Sequence, residues 1–208
     1  MTVNFEQYLS QEVARSTRGI YEKVSHLVTE AEWVLFAPLI HEIETLKEER
    51  DAVVLAHNYQ PVEIYHGIAD YTGDSLGLAR EASEADASVI VMCGVDFMAD
   101  TAKLLNPDKT VLIPSQRAGC TLASSIEVED IERLRAEHPG VPVVTYVNTS
   151  AAVKAASDIC CTSSNAVDVV ESLGSDRVIF LPDEYLGDYI VSQTDVELIG
   201  WHGKCVVH

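Results

Sequence analysis

Basic residues are scarce. The 208-residue chain carries 14 Lys and Arg against 33 Asp and Glu, a formal net charge of −19. Nucleic acid and anionic membrane surfaces are held through clustered Lys and Arg, so neither is an expected partner. The acidity is compatible with a high-salt cytoplasm. An anionic small ligand would need local donors such as helix N-termini, because the overall field repels it. Long apolar runs are lacking too; VLFAPLI (34–40) falls far short of a membrane span. The N-terminal MTVNFEQYLSQEVARS has no basic start followed by an apolar stretch. No secretory signal is read from it, and the expected location is cytoplasmic. Neither a G-x-G-x-x-G nor a Walker loop occurs, so a dinucleotide or NTP site has no support.

The cysteines are five, an odd number, and none stand as C-x-x-C. A disulfide framework is therefore not expected. Cys93, at the end of SVIVMC, reads as a small buried hydrophobe, and the adjacent Cys160 and Cys161 as structural. Cys120 and Cys205 stand apart because each ends a Gly-containing loop, AGC and GKC, just past an apolar run.

What is present is an ordinary globular composition, 47% hydrophobic and 23% charged. Residues 4–50 read as two helices with a break near Pro38. Beyond them, short Val- and Ile-rich runs alternate with helical patterns. The strands are expected at DAVVLAH (51–57), SVIVMC (88–93), TVLIP (110–114), VPVVTYV (141–147), RVIFLP (177–182) and VELIG (196–200). The helices between them are SLGLAREASEA (75–85), DFMADTAKLL (96–105), VEDIERLRAEHP (128–139), one from Ser150, SNAVDVVESL (164–173) and EYLGDYIV (184–191). Such alternation predicts an α/β fold with short parallel sheets covered by helices.

The order of elements repeats. AHNYQ (56–60) falls beside TYVNT (145–149), GDSL (73–76) beside TSSN (162–165), and GVDFM (94–98) beside LPDEYL (181–186). IPSQRAGC (113–120) falls beside IGWHGKC (199–205), with the final cysteines 85 residues apart (205 − 120). The expected organisation is a helical N-terminal extension (1–50) and tandem three-layer αβα repeats at 51–126 and 127–208. Ligands of parallel sheets bind beyond the strand C-termini, so these loops are where a site is expected. Two such domains facing each other would bring Cys120 and Cys205 together. Two thiolates fall short of the four ligands of a structural metal site.

The same strand ends offer His57 and Tyr59 in the first repeat, and Tyr146 and Asn148 in the second. Ser75 and Ser163 begin matching helices, where a hydroxyl and free backbone N–H groups can hold a carboxylate or phosphate. Each of these residues also has a purely structural reading, as a satisfied strand end or helix cap. GDSL is also the nucleophile block of a class of serine esterases. That chemistry needs a strand directly before the serine and an Asp-held His. The residues GIADYT do not read as a strand, and no D-x-x-H block follows. A zinc ion captured by Cys120, Cys205 and His202 or His208 is a further reading.

Taken together, HNYQ, GDSL, CGVDFMADTAKLL, the AGC loop, YVNTSAAVKA, DICCTSSNA, PDEYLGDYI and GKCVVH closely resemble the quinolinate synthase (quinolinate synthetase A) family of NAD biosynthesis. The resemblance runs from about residue 51 to the last residue. It implies three similar α/β domains around a pseudo-threefold centre, and a [4Fe-4S] cluster held by one cysteine from each. By motif, Cys120 and Cys205 correspond to two of those ligands, leaving one iron open as a Lewis acid. The implied reaction condenses iminoaspartate with dihydroxyacetone phosphate, losing phosphate and water to form quinolinate. L-aspartate oxidase, which makes the imine, is the implied partner. Residue by residue, the resemblance marks His57, Ser75, Tyr146, Val147, Asn148 and Ser163 as substrate contacts. It marks Tyr59 as assisting proton transfer, and His57 and His208 as further catalytic positions. The family's third domain, with the third cysteine, is expected to be missing. The alternative expectation is therefore a truncated, inactive Fe–S or metal-binding fragment that needs a partner domain.

Overall fold

The computed structural model describes residues 8–205. It is an α/β protein with two four-stranded, wholly parallel sheets. By its internal packing the chain divides into two compact units, Met1–Gly94 with Leu105–Pro114, and Val95–Leu104 with Ser115–His208.

The first unit opens with helices α1 (Gln11–Val24) and α2 (Glu30–Arg50). The break between them lies at residues 25–29 and not at Pro38, which sits inside α2. The start of α2 is fixed by a capping box, in which Thr29 accepts from the Glu32 amide and the Glu32 carboxylate accepts from that of Thr29. That pairing satisfies orphan donors of the first turn. Burial of Trp33, Ala37 and Ile40 then carries the helix through the one amide that Pro38 lacks. Those side chains meet Val24 and Val28 in a helical hairpin core.

The sheet of this unit has the order β2-β1-β3-β4, from β1 (Ala52–His57), β2 (Tyr71–Gly73), β3 (Val89–Cys93) and β4 (Thr110–Leu112). The four-residue helix α3 (Val62–Tyr65) joins β1 to β2. Helix α4 (Ser75–Glu84) packs on β1 and β2, burying Leu78, Ala79 and Ala82. On the opposite face Val54, Ala56 and Cys93 pack against Ile64 and Ile68. The strand at Tyr71–Gly73 corrects the reading of GIADYT as strandless. Three residues at a sheet edge are too few to show an alternating pattern.

The second unit repeats the plan. Its sheet, β6-β5-β7-β8, is built from β5 (Val143–Tyr146), β6 (Ile159–Cys161), β7 (Arg177–Leu181) and β8 (Glu197–Ile199). Alternate residues of β5 and β7 serve two cores. Val143, Ile179 and Leu181 face Ile131 and Leu134 of α6 (Val128–Glu137) and Val153 of α7 (Ala151–Ala156). Val144, Val178 and Phe180 face Val170 of α8 (Ala166–Ser172) and Ile190 of α9 (Glu184–Gln193). This gives three layers, αβα, with both faces of the parallel sheet buried. Helix α5 (Asp96–Leu105) joins this unit over most of its length, and its Asp100 carboxylate accepts from the Ala151 N–H at the start of α7. No described helix is long and apolar enough to cross a membrane.

Candidate functional site

In the second unit, connections leave β5 and β7 in opposite directions, so the crevice beyond their C-termini is the expected ligand position. Tyr146 ends β5 and is in register with Cys161 of β6, and Val147 donates its amide to the Cys161 carbonyl (2.9 Å). Two residues beyond Cys161, Ser163 lies near the Tyr146 phenol and favours its charged form. Asn148 is buried beside them, and Thr149 turns its hydroxyl back to the Tyr146 carbonyl (3.0 Å). Across the crevice Asp183 follows β7, one of its carboxylate oxygens accepting from Leu186 N–H at the start of α9 (2.9 Å). Burial and the nearby Asp183 charge push the Tyr146 phenol up, only partly opposed by the neighbouring Ser163. The phenol is therefore a proton-bearing donor throughout the neutral range.

Cys120 and Cys205 meet at this same unit. Thr121 Oγ1, next to Cys120, donates to the carbonyl of Lys204, next to Cys205 (3.5 Å), and the two half-buried thiols lie close enough that, after burial, a charge on Cys205 also pushes the Cys120 thiol up. The backbone amides of Ala123 and Leu122, in the turn that follows, favour a charged Cys120 sulfur. Burial pushes the Cys120 thiol up despite these amides. Nearby backbone amides suit a thiolate ligand, because they favour negative charge on sulfur once a metal displaces the proton, whereas burial opposes it. Among the described residues no three His, Cys, Asp or Glu side chains group to hold a metal ion. His202 is turned to Glu184 (3.6 Å) and does not complete a zinc set with the two thiols. His208 lies outside the described residues.

The loop carrying Cys205 is stitched on both sides. Gly203 N–H donates to the Pro182 carbonyl and Glu184 N–H to the Gly203 carbonyl, each at 3.0 Å. Trp201 donates its indole N–H to the Ser125 carbonyl (2.9 Å). A cleft of about 260 Å³ beside the 123–124 turn is lined by Asp96, Asp100 and Glu127. Three carboxylates there disfavour an anionic ligand.

In the first unit, His57 ends β1 in register with Gly73 of β2. The Tyr59 ring lies against the His57 ring, tilted by 46° with centroids 3.9 Å apart, and the Tyr59 backbone N–H donates to His57 Nδ1 (3.4 Å). Ser75 is the first residue of α4, one past its cap Asp74, whose carboxylate accepts from Gly77 N–H (2.7 Å). His57 thus holds the place that Tyr146 holds in the other unit; Ser75 opens α4, whereas Ser163 does not begin a helix but stands in the turn before α8, which starts at Ala166. Asp183 and the amides of Leu122 and Ala123 were not anticipated from sequence. For Asp183 the signal was available, since it is the polar residue that ends the RVIFLP strand.

A family model described as NadA, quinolinate synthetase A protein, matches residues 41–208. The chain belongs to this family. It is 62% identical over 193 residues to a protein named quinolinate synthase from Agrobacterium fabrum, covering 93% of this chain and 56% of that one. Quinolinate synthase 2 of Mesorhizobium japonicum is 63% identical over 193 residues, covering 93% and 60%. The quinolinate synthase of Caulobacter vibrioides strain NA1000 is 52% identical over 209 residues, covering 99% and 57%. The chain thus spans between half and two thirds of the length of these relatives.

Proposed function

We propose that these residues form part of a quinolinate synthase of NAD biosynthesis, condensing iminoaspartate with dihydroxyacetone phosphate to quinolinate with loss of phosphate and water. The observation that carries this reading is the approach of the Cys120 and Cys205 loops, bonded from Thr121 Oγ1 to the Lys204 carbonyl, in the unit that also holds Tyr146 and Ser163. In this reading Cys120 and Cys205 hold two positions of a [4Fe-4S] cluster, with its remaining protein ligand from outside these residues. A cluster so held supplies Lewis acidity at an iron free of protein thiolate. The protein's own part is to bind, orient and move protons. Tyr146, kept protonated by burial and by Asp183, donates to a substrate oxygen, and Ser163 fixes its direction. Asn148 and the backbone at Val147 line the same strand end. Ser75, at the start of α4, holds a carboxylate or phosphate with first-turn amides. Tyr59, lying against His57, assists proton transfer, and His208 is a further substrate contact. L-aspartate oxidase, as source of the imine, is the implied partner, and a reducing cytoplasm is the setting free thiols require.

Because only two thiols meet among the described residues, a second reading is a metal-binding fragment completed by another chain. The two are separated by assaying quinolinate from both substrates under anaerobic conditions, after loading with iron and sulfide, beside Tyr146→Phe and Tyr59→Phe. Product that falls in both variants supports the synthase. Loading without product favours the fragment.

A further inference from the structure

Gly203 lies between the two segments that carry the site. A methyl group at its Cα would stand 2.4 Å from the Pro182 carbonyl oxygen, 2.6 Å from Ser125 Oγ and 3.1 Å from a Leu122 methyl. The first of these neighbours is backbone and already accepts the Gly203 N–H. It cannot swing aside as a side chain could. Leu122 and Ser125 belong to the turn that follows Cys120, whereas Pro182 precedes Asp183. The contacts of Gly203 therefore span the Cys120 turn, the Asp183 segment and the loop of Cys205, two residues on. Two further bonds run alongside, from Trp201 Nε1 to the Ser125 carbonyl and from Thr121 Oγ1 to the Lys204 carbonyl.

We propose that Gly203 is the positioning residue that sets the spacing of Cys120 and Cys205, because only a residue without a side chain lets the 201–204 segment seat between the 122–125 turn and Pro182. The proposal concerns the thiol pair and does not depend on turnover. Two other glycines give an internal comparison. Gly119, next to Cys120, and Gly200, at the start of the same segment, have nothing within 4 Å of an added methyl, and neither has a positive φ. Alanine is tolerated at both and not at Gly203.

Phenylarsine oxide tests this without metal. It reacts with two neighbouring thiols, forming two As–S bonds while its oxygen leaves as water with both thiol protons. The probe is titrated anaerobically into the full chain carrying Cys160→Ser, which removes the exposed member of the adjacent cysteine pair. Protection of Cys120 and Cys205 from maleimide is then mapped by peptide mass spectrometry. The parent is expected to protect both cysteines at one arsenical per chain. Gly203→Ala is expected to weaken binding about tenfold or more, and Gly119→Ala and Gly200→Ala to stay within about twofold. Gly203→Ala that binds as the parent does overturns the proposal, as do control alanines that weaken binding equally. If Gly203→Ala does not fold, Trp201→Phe, which removes the indole donor while keeping an aromatic ring on the core, is expected to weaken binding about threefold with the fold retained. Unchanged binding in Trp201→Phe would then overturn the proposal. A parent that protects neither cysteine overturns the thiol pair itself, and with it the cluster reading above.

Discussion

Asp70 and Asp158 occupy equivalent places in the two units, 88 residues apart (158 − 70). Each carboxylate accepts an N–H from the strand beside it, Asp70 from Val54 and Asp158 from Val143. Each also pairs with a cation from the helix preceding that strand, Lys47 at 2.7 Å and Arg135 at 3.0 Å. Lys47 and Arg135 in turn donate to the carbonyls of Ile68 and Ala156. One clamp is thus built twice, with Lys in one copy and Arg in the other.

The clamps differ in depth, and so should their worth. The Lys47 side chain is 11% exposed and that of Arg135 38%. Asp70→Asn leaves a nearly buried ammonium with Glu44 as its one remaining carboxylate among the described residues, and is expected to cost about 2 kcal/mol. Asp158→Asn leaves a guanidinium that water can reach, and is expected to cost about 1 kcal/mol. Urea unfolding of the two variants measures both, and a larger loss at Asp158 would contradict the assignment.

Acid should expose the shallower clamp. The Arg135 hydrogen bond, aided by the Val143 amide, holds the Asp158 carboxyl below its ordinary value. The folded state therefore binds that proton less readily than the unfolded chain. The stabilisation is present above the ordinary carboxylate range and is lost as pH falls through the depressed folded value. Asp158→Asn should accordingly flatten the acid limb of the stability profile below about pH 4.

Lys154 should act in the opposite pH range. Its amine donates to the Thr149 carbonyl, lies 5.7 Å from the Phe97 ring centroid, and is pushed down to about 8 by burial. A charged lysine there weakens the fold while both states are protonated, below about pH 8. Between about 8 and the ordinary lysine value the folded state is neutral and the unfolded chain still charged. Stability therefore rises with pH across that window. The difference in unfolding free energy between the wild type and Lys154→Met, measured from pH 7 to 10, should move by a few kcal/mol in favour of the wild type.

Thr145 offers a simple gain. Its hydroxyl is fully buried in β5 with no hydrogen-bond partner among the described residues. Thr145→Val replaces the unpaired hydroxyl with a methyl group of similar shape and is expected to raise stability by about 1 kcal/mol. Thermal unfolding checks it.

Much of this architecture was legible from periodicity, because its strands are runs of Val and Ile and its longer helices carry clear caps. DFMADTAKLL forms its helix at the anticipated bounds. What escaped was short or non-local. YTG and ICC form edge strands of three residues, within which a period of two cannot be told from chance. Pro38 looked like a break because its missing amide is local, whereas the burial of Trp33 and Ile40 that holds α2 together is not. The paired loops of AGC and GKC could be read as equivalent in sequence. The stitching at Gly203 could not, since its contacts reach 78 residues back to Ser125 (203 − 125).

The central claim is that Cys120 and Cys205 are a metal-holding pair. Its most direct test is iron and acid-labile sulfide per chain after strictly anaerobic purification and reconstitution, with Cys120→Ser and Cys205→Ser alongside. The account predicts iron and sulfide together in the wild type and the loss of both in either variant. Iron and sulfide that survive in either serine variant, or that never bind the wild type, would contradict it.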